Sequence, residues 1–64
     1  MDSLRFYIDF SYGGVRLTQA NDLDRAKKEA AQSAVNCRCS VRLLNDKYSK
    51  LAEFDYKGIE INHD

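Results

Sequence analysis

The stretch Leu4 to Leu17, LRFYIDFSYGGVRL, constrains this chain more than any other. Leu4, Phe6, Ile8, Phe10 and Tyr12 alternate with Arg5, Tyr7, Asp9 and Ser11. A period of two predicts a strand with one buried face. Gly13-Gly14 follows, and two glycines at the centre of a two-residue hairpin turn meet its need for positive φ. Such a turn pairs Tyr12 with Val15 and Phe10 with Leu17. Directly opposed residues share a face, so Val15 and Leu17 are expected in the core and Arg16 and Thr18 outside it. The remainder of the chain must then cover one apolar sheet face.

Sixty-four residues predict one domain, 1–64. A chain of this size buries roughly 60% of its unfolded surface, which leaves little room for a deep cleft. Ten basic residues balance ten acidic ones, so bulk charge favours neither nucleic acid nor an anionic membrane. No apolar run approaches the length of a membrane span, and MDSLRFYIDF lacks the basic and apolar regions of a signal peptide. The expected location is the cytoplasm, that of the host if the gene is carried by a phage.

Asn21 or Asp22 can cap a helix expected from about Asp22 to Val35. At 100° per residue Leu23, Ala26, Ala30 and Ala34 form one stripe, with Lys27 and Ala31 at its edges. Small side chains let such a helix approach the sheet closely, leaving the aromatics of the first strand to supply core volume. Asp24–Lys28 and Arg25–Glu29 are expected as outward i,i+4 pairs. Asn36 is the expected left-handed cap.

From Cys37 to Leu44 the period returns to two. Cys37, Cys39, Val41 and Leu43 are expected inward, and Arg38, Ser40, Arg42 and Leu44 outward. Asn45-Asp46-Lys47 reads as a turn, and Tyr48 after it as exposed. A fourth strand from Leu51 to Tyr56 would bury Ala52, Phe54 and Tyr56. Lys57-Gly58 is a second tight turn, Ile59–Ile61 a short closing strand, and residues 62–64 a frayed end. The expected class is α+β: a ββαββ(β) chain with an antiparallel sheet of four or five strands and one helix packed on one face.

No residue set dictates a chemistry. Cys37 and Cys39 on a strand would have Cα atoms about 7 Å apart, a poor disulfide geometry, so two reduced thiols are expected. Two cysteines and one histidine fall short of a metal site. His63 lies in the expected frayed end and cannot hold the geometry a general base needs. No enzyme and no cofactor are predicted. The informative surface is the open sheet face, where the alternation places Arg5, Tyr7, Arg16, Arg38 and Arg42 as partner-binding candidates, arginine and tyrosine being frequent hot-spot residues.

The order strand, GG turn, strand, LDRAKKEAA helix, CRCSVRLLN and LAEFDYKGIEI resembles small ββαββ proteins of phages and mobile elements, some of them of the anti-CRISPR type. The resemblance lies in the order of elements and supplies no site residue. It implies a stoichiometric inhibitor that docks on a host protein or nucleoprotein complex, blocks its activity and so evades host defence, without catalysis. Small antitoxin sheets share the outline. The alternative is a small nucleic-acid-binding regulator using the arginines of the open face, and pairing with a second copy is a further route to partner binding.

Overall fold

The computed structural model describes residues 5–61. Strands β1 (Tyr7–Phe10), β2 (Val15–Leu17), β3 (Val41–Leu44) and β4 (Lys50–Phe54) form one antiparallel sheet in the order β2-β1-β3-β4. Helix α1 (Leu23–Cys37) packs on one face, giving the expected α+β, β-β-α-β-β domain. The molecule is a thin two-layer slab, 35 × 26 × 18 Å. Phe6, Ile8 and Phe10 pack with Val41, Leu43, Ala52 and Phe54 beneath Ala26, Ala30 and Ala34. The three alanines are wholly buried, and Ser33 rather than Leu23 completes the covered stripe. Asp22 caps the helix, accepting from the Arg25 N–H at 2.9 Å. The expected start of the first strand at Leu4 and the expected fraying of 62–64 lie outside the described residues.

The β1–β2 register differs from the two-residue-turn expectation. Tyr7 pairs with Leu17, Ile8 with Arg16 and Asp9 with Val15. The connection has three residues, closed by Gly13 N–H donating to the Phe10 carbonyl at 2.9 Å and Phe10 N–H donating to Gly14 at 3.0 Å. Gly13, at φ 109, is the third residue of the loop rather than half of its centre. The slip is an odd number of residues, so every side chain of β2 changes face. Arg16 and Thr18 turn toward the helix layer, and Val15 and Leu17 turn away from it. Tyr12 leaves the core for the loop and stacks on Phe10 at 5.4 Å.

Arg16 has a built environment there. Its Nη2 donates to Ser33 Oγ at 2.7 Å, and its Nη1 lies 3.2 Å from Glu29 Oε2. Glu29 also accepts from the Gln19 N–H at 3.1 Å, so one carboxylate joins the end of β2 to the helix. Glu29 therefore does not pair with Arg25, whose partner is Asp22.

The helix also ends later than expected. It runs through Cys37, and Arg38, at φ 55 and ψ 41, takes the left-handed position assigned to Asn36. Arg38 N–H donates to Val35 O at 3.3 Å and Cys39 N–H to Ala34 O at 3.2 Å, a Schellman closure. The third strand consequently starts at Val41. β4 ends at Phe54, and Tyr56 sits exposed in the following turn instead of in the core. The expected closing strand is reduced to a bridge between Phe54 and Glu60, with Ile61 N–H donating to Glu53 O at 2.8 Å.

That last turn rests on the helix. A Cβ at Gly58 would lie 2.8 Å from Val35 Cγ2 and 3.1 Å from the Ala31 carbonyl, whereas one at Gly13 would meet nothing within 4 Å. Both glycines have positive φ. Gly13→Ala should cost about 1 kcal/mol from backbone strain, and Gly58→Ala about 2–3 kcal/mol because strain and overlap combine. Urea unfolding of the two variants checks the order.

Candidate functional site: the uncovered sheet face

Alternation along β1 and β3 separates two faces. Ile8 and Leu43 go to the helix side, and Tyr7, Asp9, Arg42 and Leu44 to the other. Tyr7 pairs with Leu17 on one side and with Leu44 on the other. Leu44, expected as an outward residue, is buried but does not belong to the core cluster under the helix. The uncovered face thus carries a small apolar centre of its own. Val15 and Leu17 extend it, 47% and 48% exposed.

Tyr48 completes this centre. Its ring lies 4.9 Å from that of Tyr7, and the residue remains 59% exposed. Its backbone has φ 65, uncommon for a bulky residue. Three connections in the molecule share one pattern. In the turn Asn45–Ser49, Asn45 N–H donates to Ser49 O and Tyr48 N–H to Asn45 O; in Asp55–Ile59, Asp55 N–H donates to Ile59 O and Gly58 N–H to Asp55 O. Phe10–Gly14 has the same two bonds. The third loop residue, at positive φ in all three, is Gly13 in the first and Gly58 in the last, but tyrosine in the middle one. Left-handed backbone costs an L residue roughly 1–2 kcal/mol. Asn45 offsets part of this, since its Oδ1 accepts from the Lys47 and Ser49 N–H groups at 2.8 and 2.9 Å. The ring contact with Tyr7 offsets more, aromatic pairs contributing about 0.5–1.5 kcal/mol.

The charges around this centre are mixed. Arg42 Nη1 lies 4.0 Å from Asp9 Oδ2, and Arg42 is also opposite Glu53 across the β3–β4 pair. Lys50 Nζ lies 3.3 Å from Glu53 Oε1. Asp9, Ser11, Ser40, Arg42 and Glu53 rim a depression of about 290 Å³ at the hairpin end of the face.

Of the five residues predicted to share the open face, the structure brings Tyr7 and Arg42 together there. Arg5 lies exposed just before β1. Arg16 is on the helix side, and Arg38 caps the helix. The expected row of arginines is therefore dispersed. Leu44 lies on the outward side expected of it, and Tyr48, expected exposed, joins it through Tyr7; sequence reasoning missed Leu17, which it assigned to the core. Among the described residues no group of three His, Cys, Asp or Glu gathers as a metal site, and no helix is long and apolar enough to cross a membrane. No protein-family model, curated sequence or solved structure matches the chain.

The strain at Tyr48 has a measurable signature. Tyr48→Ala loses the ring contact and keeps a left-handed L residue, whereas Tyr48→Gly loses the ring and relieves the backbone. The glycine variant should be the more stable of the two by about 1 kcal/mol. Equal midpoints in urea would mean that the positive φ at this position costs nothing.

Proposed function

We propose that this chain is a non-enzymatic protein-binding module that docks through its uncovered sheet face, with Tyr7, Leu17, Leu44 and Tyr48 as the anchor and the Asp9–Arg42–Glu53 group as its polar rim. The observation that supports this best is Tyr48. The chain holds a large, exposed aromatic in a conformation for which its two sister turns use glycine. Strain of this kind persists where the surroundings impose it and concentrates at functional positions. Here the strained tyrosine lies over the centre of the sheet face that, among the described residues, lacks a second layer. Aromatic anchors within a polar rim are the usual anatomy of a protein interface.

The same geometry weighs against the nucleic-acid alternative. Phosphate binding needs clustered cations, and three of the four expected arginines are engaged or positioned elsewhere or stand at the margin, while Arg42 faces two carboxylates. Stacking platforms for bases use paired aromatics along the strands, and here one strand tyrosine is covered by a loop tyrosine. In its particular form the proposal is a phage-type inhibitor that acts by occupancy on a host nucleoprotein complex, as the order of elements suggests.

The test is affinity capture from lysate of the native host, with and without nuclease treatment, comparing the wild type with Tyr48→Ala, with Leu17→Ala and with Lys28→Ala on the helix. We expect a defined protein partner whose retention survives nuclease and salt. Tyr48→Ala should lower its affinity about 30-fold, the effect of a 2 kcal/mol hot spot, and Lys28→Ala should leave it unchanged. A partner lost with Lys28→Ala but kept by both face variants would overturn the assignment of the surface. Retention of nucleic acid alone would replace the protein reading with the alternative.

A further inference from the structure

The structure removes the reason for treating Cys37 and Cys39 as unable to react with each other. On a strand their Cα atoms would be too far apart. Here Cys37 is the last helical residue, Arg38 is left-handed, and Cys39 follows. The Cα separation of Cys37 and Cys39 depends on the φ and ψ of Arg38 alone. Values of 55° and 41° are close to the mirror image of right-handed helical angles, and mirror images have equal distances. The separation is therefore that of residues i and i+2 of a helix, about 5.4 Å. Disulfides span Cα separations of roughly 4.4–6.8 Å.

Three further features bear on this pair. The geometry is held by the fold, because Arg38 N–H and Cys39 N–H are bonded to Val35 and Ala34 carbonyls. The two thiols differ in access: Cys37 is exposed, while Cys39 is half-buried against the core. Both act on one phenol. Tyr12 Oη lies 3.9 Å from Cys37 Sγ. The Tyr12 pKa is raised, first by that hydrogen bond, then by desolvation, then by the charges of Cys37 and Cys39.

We propose that Cys37 and Cys39 form a reversible dithiol–disulfide pair, poised by the left-handed Arg38 between them and closed by exchange with a small disulfide such as oxidised glutathione. Cys37, as thiolate, attacks one sulfur of the reagent. The reagent's S–S bond breaks, a mixed disulfide forms, and the departing thiolate takes up the proton that Cys37 lost. Cys39 then gives up its proton and attacks the Cys37 sulfur, expelling the second reagent thiolate, which takes that proton. Two protein thiols are oxidised and one reagent disulfide is reduced to two thiols. Exposed Cys37 takes the first step, and Cys39 resolves it because the cap keeps it within reach. The small ring makes this a labile couple rather than a permanent staple.

The experiment equilibrates the purified full chain with reduced and oxidised glutathione at a series of ratios, in native buffer and in concentrated urea. Free thiols are alkylated and the products weighed intact. We expect the intramolecular disulfide to be favoured about tenfold more in the folded chain than in urea, and Cys39→Ser to stop at a single glutathione adduct on Cys37. Arg38→Gly, which retains the left-handed backbone, should close as the wild type does. A closing equilibrium no better in native buffer than in urea would overturn the proposal, as would wild-type chains that end as double adducts or as disulfide-linked dimers. Adduct formation on Cys39 in Cys37→Ser as fast as on Cys37 in Cys39→Ser would overturn the order of attack.

Discussion

The hydrogen bond from Gly13 N–H to the Phe10 carbonyl decides most of what this small domain presents to its surroundings. It makes the first connection three residues long, and an odd displacement of register exchanges the faces of a strand. Arg16 is thereby sent under the sheet, where Glu29 and Ser33 receive it, and Leu17 is brought beside Tyr7. A two-residue turn would have produced a deeper core and an arginine-rich outer face. The observed turn yields a core built from β1, β3, β4 and alanines, and a second apolar centre on the far side. Such a core contributes little net stability at this size, so polar ties between the layers matter more than they would in a larger domain.

Much of this was legible in the residues. The alternation from Phe6 to Phe10, a cap at Asn21 or Asp22 and the alanines of the helix stripe each follow from a single strong rule, and the structure agrees with them, Asp22 being the cap, while Tyr12 and Leu23 fall outside the core. The hairpin parity was not legible from Gly13-Gly14, because two- and three-residue connections both accept glycine at their positive-φ positions. The broader pattern held a signal nonetheless. Arg16 on the helix side has Glu29 and Ser33 to meet, whereas on the outer face it would have had neither. The helix end was obscured because Cys37 continues the helical stripe as readily as it begins a strand, and because arginine is an unusual left-handed cap.

The site was less legible than the fold, for a physical reason. The proposed anchor, Tyr48, has a backbone conformation that tyrosine rarely adopts, so no propensity points to it. The signal lies in a comparison within the chain. Asn45 to Ser49 and Asp55 to Ile59 each begin with a side chain that accepts from the second and fourth N–H groups after it. Setting NDKYS over DYKGI aligns Tyr48 with Gly58 and marks the tyrosine as the exception. The dispersed arginines, in contrast, were placed by alternation alone, and alternation fails wherever a register slips or a helix runs on by two residues.

The slab is only 18 Å through its shortest dimension. Val41 and Leu43 lie wholly buried on one side of the same backbone that shows Arg42 and Leu44 to the other. One peptide layer separates the packing under the helix from whatever rests on Tyr7 and Leu44. A body seated on that face would become the third layer of a three-layer structure, and the sheet would pass from a wall to an interior.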